Sequence, residues 1–123
     1  MVRKAYDAFS AGDMEALGKM MKPDMVHSVP GNNPLSGEHK GQDAAFAMYG
    51  RLFELTDGTF EADLQDVTAK GDDRVVAKHR STATRGDKKL DVTTTLDFTV
   101  EGEKIARIDE STSDQAAENA FWS

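Results

Sequence analysis

Glu110 and His79 are the side chains of this 123-residue chain whose types best suit proton transfer. A carboxylate in an apolar cavity can act as a general base, because burial disfavours its charged form and raises its pKa toward neutral pH. Glu110 would then remove a proton from a carbon beside a carbonyl group, and His79 would donate a hydrogen bond to the developing enolate. Two structural alternatives stay open: Glu110 is exposed near a strand end, and His79 is satisfied by Thr94 inside the sheet.

Motifs for several other kinds of chemistry are absent from the sequence. The chain has no cysteine, which excludes thiolate nucleophiles, disulfides and Cys-ligated zinc. His27, His39 and His79 show no HxxxH or HxH spacing, so we expect no metal site. No GxSxG, GxGxxG or GxxxxGK(S/T) occurs, and we expect no cofactor. His39 falls in a long loop, where exposure to solvent is the simplest prediction.

The composition argues against several classes of partner. Fifteen Lys and Arg against 22 Asp and Glu give a formal net charge of −7, and no basic patch offsets it. Such a chain repels nucleic-acid backbones and anionic membranes, so we expect neither as a partner. No apolar run approaches the roughly 18 residues of a membrane span, and the start lacks the apolar core of a secretion signal. We therefore predict one domain that works in the cytoplasm.

The N-terminal half has the apolar spacing of three helices. The first is predicted to end at Gly12, the second to extend from Asp13 until Pro23 prevents its continuation, and the third to occupy residues 42–55. The first helix should bury a stripe at i, i+3, i+4 and i+7, made of Val2, Ala5, Tyr6 and Phe9. The third helix should bury Phe46, Tyr49, Leu52 and Phe53.

The segment between the second and third helices is predicted to be mostly loop. Residues 24–29 form a brief extended segment, and the dense turn signal at residues 30–34 begins a loop that continues to Gly41. Gly50, inside the third helix, costs about 1 kcal/mol relative to Ala, which predicts that another backbone approaches closely there.

The second half of the chain reads as an antiparallel meander. β-Branched runs of similar length alternate with Gly-containing turns, which predicts strands over 59–69, 74–85, 89–100 and 104–112. Strands of this length must cross the whole domain, so the sheet has to curl and needs material on its concave side. The three helices are that material, and the predicted fold is a cone-shaped α+β domain. Residues 114–122 should form a helical turn that lays Phe121 and Trp122 over an open edge.

Turn lengths then decide which side chains face the interior. A two-residue loop at Gly86-Asp87 places His79 opposite Thr94 and turns this face, which also carries Leu90 and Leu96, inward. A three-residue loop at 101–103 would place Leu96 opposite Ile108 and Thr94 opposite Glu110. His79 and Glu110 would then be about 10 Å apart at the backbone, a gap that one small ligand can bridge.

Several short segments together resemble a known family. They are Ala11-Gly12-Asp13, Val26-His27-Ser28-Val29-Pro30-Gly31, Leu35-Ser36-Gly37, Lys40-Gly41-Gln42-Asp43, Gly102-Glu103-Lys104-Ile105, Asp114-Gln115-Ala116 and Phe121-Trp122. In this order and spacing, they resemble the SnoaL-like branch of the nuclear transport factor 2-like superfamily. The resemblance covers nearly the whole chain, which is read as a single SnoaL-like domain over residues 1–123.

The resemblance implies a cone-shaped fold that dimerises through the outer face of its sheet and holds a small apolar ligand. In the cyclase branch, an acidic residue on the last strand is the base, and Glu110 occupies the matching position. The resemblance also suggests that His27 lines the cavity through its shape. The ligand-binding residues that we predict are His27, Tyr49, Phe53, Thr94, Leu96, Ile108 and Trp122.

Family membership of this kind does not fix the reaction, because members include cyclases, isomerases, epoxide hydrolases, dehydratases and binders without a known reaction. The ketosteroid isomerase mechanism is excluded, because Ala5, Val29 and Leu96 occupy its key positions. Three functions stay open: a lyase, isomerase or cyclase acting on an apolar carbonyl compound; a non-catalytic binder; and a structural dimer with a filled interior. An enclosed pocket of roughly a few hundred Å³ would favour the first two.

Overall fold

The structure is a computed structural model that describes residues 2–123 and contains ten helices and strands. The helices are α1 (Val2–Ala11), α2 (Met14–Lys19), α3 (Gln42–Leu55) and α4 (Gln115–Trp122). The strands are β1 (Met21–Val29), β2 (Gly37–Lys40), β3 (Glu61–Ala69), β4 (Arg74–Arg85), β5 (Lys88–Glu101) and β6 (Lys104–Thr112). No helix within residues 2–123 is both long and apolar enough to cross a membrane.

The six strands form one curved sheet in the order β2-β1-β6-β5-β4-β3. All neighbours are antiparallel except β1 and β6, which run parallel. The helices pack against this sheet, with α3 on β1 and β2, α1 on β3 and α4 on β5. The α+β architecture and the curved sheet are therefore confirmed.

Residues 21–40 depart most from the predicted elements. The second helix ends at Lys19, and Pro23 lies inside β1, where the pairing with β6 is irregular between Met21 and Val26. A proline is tolerated in a strand at such an irregularity, because no ladder hydrogen bond from its nitrogen is needed there. Part of the predicted loop is strand β2, so His39 is half-buried and its Nε2 lies 2.8 Å from the carbonyl oxygen of Leu35.

The pairing between β4 and β5 follows the predicted register throughout. Arg85 pairs with Lys88 across the Gly86-Asp87 turn, and His79 pairs with Thr94. Alternation along β4 buries Ala77, His79, Ser81 and Ala83, as expected for the inward face.

The predicted register between β5 and β6 is wrong by two residues. The turn has two residues, Gly102 and Glu103, both with positive φ (56° and 65°), and a bulge at Ala106 shifts the pairing by one more residue. Glu110 therefore lies opposite Leu96 instead of Thr94. An error of two residues keeps every side chain on the same face, so Glu110 still points inward.

Two smaller expectations concern α3 and α4. A Cβ at Gly50 would meet no atom within 4 Å, so the predicted close approach of a backbone is wrong. The C-terminal segment forms a full helix of 8 residues, whose N-terminus is capped by the Asp114 side chain bonding to the Ala117 amide. Phe121 and Trp122 are buried in the core instead of lying over an open edge, because α4 packs on β5.

Candidate functional site

A cavity of about 100 Å³ lies between the concave face of the sheet and the helices. Most of its wall is apolar, and its polar groups are Tyr6, His27, Tyr49, His79, Ser81, Thr94, Glu110, Thr112 and Glu118, with Asn33 and Gln115 at one end. Six of the seven side chains predicted to bind a ligand line it: His27, Tyr49, Thr94, Leu96, Ile108 and Trp122. Phe53 does not, because it packs behind the wall against Phe9 and Phe60.

His79 is held by Tyr6 of α1, a contact that the sequence did not predict. The Tyr6 hydroxyl lies 2.6 Å from Nδ1 of His79, and the two rings meet edge to face at 5.3 Å. Burial lowers the pKa of His79 to about 4, although the negative charge of Glu110 opposes the shift. Burial also raises the pKa of Tyr6, so both groups are neutral near pH 7. Tyr6 then donates to Nδ1, and the imidazole proton is assigned to Nε2.

Nε2 of His79 is turned toward the cavity. It has no hydrogen-bond partner among residues 2–123. Every side-chain nitrogen or oxygen in that range that is fully buried does have a partner. Nε2 must therefore touch open space, and His79 lines the cavity. The alternative in which Thr94 satisfies His79 is not observed, because the Thr94 hydroxyl bonds to Ser81 at 2.8 Å.

Glu110 is held by His27 on the neighbouring strand β1. Its Oε1 lies 2.9 Å from Nε2 of His27, and Nδ1 of the same ring lies 2.7 Å from the Tyr49 hydroxyl. The tautomer that satisfies all three groups has Tyr49 donating to Nδ1 and Nε2–H donating to the carboxylate. His27 therefore orients Glu110 in addition to lining the cavity. The Glu110 side chain is 21% exposed, and its second oxygen has no hydrogen-bond partner among residues 2–123.

A second acidic side chain, Glu118 of α4, also lines the cavity, where the sequence predicted only one. Its Oε2 accepts a hydrogen bond of 2.8 Å from the Trp122 indole. Burial raises the pKa of Glu118 and the charge of Glu110 adds to the shift, while Trp122 and Thr112, which interact with the carboxyl group, oppose it. The sequence predicted a helical turn at the C-terminus but not that Glu118 is buried. The face that α4 buries depends on how the helix packs on β5.

The residues that the structure describes include no group of three His, Cys, Asp or Glu side chains that could hold a metal ion. What the cavity offers is a neutral imidazole N–H from His79, a carboxylate oxygen from Glu110 and a buried carboxyl group from Glu118. These groups suit hydrogen bonding and proton transfer with a small, mostly apolar molecule.

Comparison with known proteins agrees with this architecture. A family profile described as SnoaL-like domain matches residues 2–108. Uncharacterized protein Rv0034 of Mycobacterium tuberculosis is 36% identical over 122 residues, which cover 99% of this chain and 93% of that protein. The structure of Bal32a, from a soil-derived mobile gene cassette, is 38% identical with a TM-score of 0.97, over 99% of this chain and 93% of that chain. An NTF2-like protein from Burkholderia xenovorans shares the fold, with 23% identity and a TM-score of 0.83 over 99% and 92% of the two chains.

Proposed function

The chain belongs to the family of SnoaL-like domains, in the nuclear transport factor 2-like superfamily, and on that premise we propose that it binds a compact, apolar carbonyl compound in the cytoplasm. We further propose that Glu110 removes a proton from the carbon beside the carbonyl group, as a lyase, isomerase or cyclase would. His79 binds the carbonyl oxygen.

One observation carries the proposal: the free Nε2 of His79 and the free oxygen of Glu110 both border the same apolar cavity. A neutral imidazole N–H can polarise a carbonyl group without presenting a competing acid. A carboxylate that borders the same cavity can accept the proton that polarisation makes acidic. The two groups are supplied by different strands, each fixed by a Tyr–His contact.

The chemical step is a proton transfer. The C–H bond beside the carbonyl breaks, its electron pair moves into the new C=C bond, and the carbonyl electrons move onto the oxygen that Nε2–H of His79 contacts. Glu110 holds the proton and returns it to the same or another carbon atom. No oxidant or reductant takes part. The cavity of about 100 Å³ is smaller than most ligand pockets, which favours a ligand the size of a single ring.

A non-catalytic binder is the second candidate, and the bond between His27 and Glu110 favours it. A carboxylate that is already held by an imidazole can serve as a fixed acceptor for a hydroxyl or amine of the ligand. In that case the ligand binds, but the hydrogen atoms on its carbon atoms do not exchange with the solvent.

Ligand binding is tested with cyclohexanone as the probe and with two variants of β3. Ala62 lines the cavity and Ala69 is exposed on the same strand. Ala62→Leu should fill the cavity and weaken binding measured by calorimetry at least about tenfold, whereas Ala69→Leu should not. Binding that both variants retain, or no binding by the unchanged protein, would contradict the proposal. Glu110→Gln, described in the Discussion, separates catalysis from binding.

We also propose that two copies of the domain associate through the outer face of the sheet. Within residues 2–123, the helices pack on the opposite face, and the outer face carries cross-strand ion pairs such as Arg80–Asp91 at 2.6 Å. Thr95 and Asp97 near its centre are only half-exposed. A polar face of this kind suits a hydrated interface.

A further inference from the structure

Glu118 is a buried carboxyl group that the proton transfer by Glu110 does not use. It lies on α4, is 9% exposed and lines the same cavity as Glu110 and His79. Oε2 accepts a hydrogen bond from the Trp122 indole, and Thr112 also interacts with the carboxyl group. Glu118 lies beyond residue 108, where the match to the family profile ends.

No lysine or arginine side chain among residues 2–123 bonds to the Glu118 carboxyl group. The two cations in contact with α4 within residues 2–123, Arg85 and Lys88, bond to backbone carbonyl groups at its C-terminal end. The other titratable groups around the cavity are Tyr6, His27, Tyr49, His79 and Glu110. Tyr6 and His79 are neutral near pH 7, and Glu110 opposes a second negative charge. In these surroundings the ionised form of Glu118 would carry a large desolvation free energy, whereas the protonated form would not.

We propose that Glu118, which lines the cavity from α4, donates a hydrogen bond in its protonated form to a second acceptor oxygen of the ligand. The ligand of this domain is therefore a compact compound with two acceptor oxygens, such as a dicarbonyl. One oxygen meets Nε2–H of His79 and the other meets Glu118. The inference rests on the proposed function only in that the same cavity holds the ligand, and Glu118 is here a ligand-binding residue with no part in the proton transfer.

A purely structural role for Glu118 would be to hold Trp122 in place. Glu118→Gln distinguishes the two roles, because the amide oxygen can still accept from the Trp122 indole and the side chain keeps its size. The amide cannot change its protonation with pH. The part of the pH dependence of Trp122 fluorescence and of ligand binding that comes from Glu118 should therefore disappear in this variant, while the fold is kept.

Trp122 reports the protonation of Glu118 directly, since it is the single tryptophan of the chain. We expect its fluorescence to change with a midpoint above the ordinary Glu pKa of about 4.3. Glu118→Gln should abolish the transition, and Glu110→Gln should lower its midpoint because a neighbouring negative charge is removed. A transition that survives Glu118→Gln, or a Glu118 transition at or below the ordinary value, would overturn the protonation claim.

Two probes then test the hydrogen bond: cyclohexanone and its para-dione, which carries a second carbonyl group on the opposite ring carbon. The added oxygen can only accept, so it gains from Glu118 only while Glu118 is protonated. Below the fluorescence midpoint, the unchanged protein should bind the dione about threefold to tenfold more tightly than cyclohexanone, and this preference should disappear above the midpoint. In Glu118→Gln the preference should not vary with pH.

The outcomes separate this inference from the proposed function. If both ketones bind the unchanged protein equally at every pH, or if Glu118→Gln keeps the full pH dependence, the role of Glu118 is refuted and the cavity remains a binding site. If neither ketone binds, both the inference and the proposed function are refuted.

Discussion

His27 and Glu110, 83 positions apart in the chain, are joined by a contact of 2.9 Å between Nε2 and Oε1. The parallel pairing of β1 with β6 brings them together, because His27 pairs with Ile108 and Glu110 follows two residues later on the same face. Tyr49 of α3 bonds to the other nitrogen of the ring. The position of the proposed base therefore depends on a three-residue network that joins two strands and a helix.

We expect the Tyr49–His27 contact to stabilise the fold measurably. His27→Phe would leave the buried Tyr49 hydroxyl without a partner and should lower the free energy of unfolding by about 2 kcal/mol. Tyr49→Phe removes that hydroxyl, so the double variant should cost less than the sum of the two single variants, by about 1 kcal/mol. Urea unfolding measures all four proteins. Additive losses would show that the two residues are not coupled.

His79 should make the domain sensitive to acid. Its pKa falls from 6.5 in the unfolded chain to about 4 in the folded protein, so the unfolded state binds more protons between these values. The stabilisation is fully present above pH 6.5 and is lost as the pH falls toward 4, by about 3 kcal/mol in total.

Urea unfolding over this pH range measures the effect. His79→Gln should flatten the dependence, and His39→Gln, which removes a histidine outside the cavity wall, should not. An equal slope for His79→Gln and the unchanged protein would contradict the assignment to His79.

Gly31 should be intolerant of substitution because it lies under α4. Its φ is +96°, and a Cβ would lie 2.0 Å from Nε2 of Gln115 and 2.6 Å from Oδ1 of Asn119, which also binds the Asn32 amide. Gly31→Ala should lower the free energy of unfolding by about 1–3 kcal/mol.

Gly50 provides the matched control, since it is exposed in α3 with no atom near its missing Cβ. Gly50→Ala should stabilise the protein by about 0.5–1 kcal/mol. Thermal unfolding that gives both variants the same sign of change would show that the contacts of Gly31 with α4 do not matter.

The proposed dimer predicts that a charge on the outer face weakens self-association. Thr95→Glu adds one negative charge per copy beside Asp97, and a two-fold interface brings the added charges of both copies together. Sedimentation equilibrium should show a dimer for the unchanged protein and a dissociation constant at least about tenfold higher for the variant. Ala44→Glu adds the same charge on the exposed surface of α3, away from this face, and should leave the dimer unchanged. A monomeric unchanged protein would refute this interface.

The sequence predicted the parts of the site that depend on local turns and alternation. Gly86-Asp87 is a recognisable two-residue turn, so the pairing of His79 with Thr94 followed from it. The turn at Gly102-Glu103 was not recognised, because Glu rarely adopts a positive φ. Glu110 still faced inward as expected, since the resulting error was an even number of residues.

Contacts between distant segments could not be predicted in this way. The parallel pairing of β1 with β6 leaves no local pattern, so the bond between His27 and Glu110 was missed and His27 was expected only to line the cavity. Tyr6 was predicted to be buried, but nothing in the spacing of α1 indicates that its hydroxyl meets His79. Glu118 was missed because α4 was expected to be a single turn over an edge.

The exchange of hydrogen for deuterium beside the carbonyl of cyclohexanone, followed by NMR in deuterated buffer, tests the role of Glu110 most directly. The unchanged protein should accelerate this exchange, and Glu110→Gln should slow it at least about 100-fold while it still binds the ketone. Asp109→Asn, on the outer face of the same strand, should exchange like the unchanged protein. Equal rates with and without the Glu110 carboxylate, or no acceleration by the unchanged protein, would contradict a catalytic base at this position.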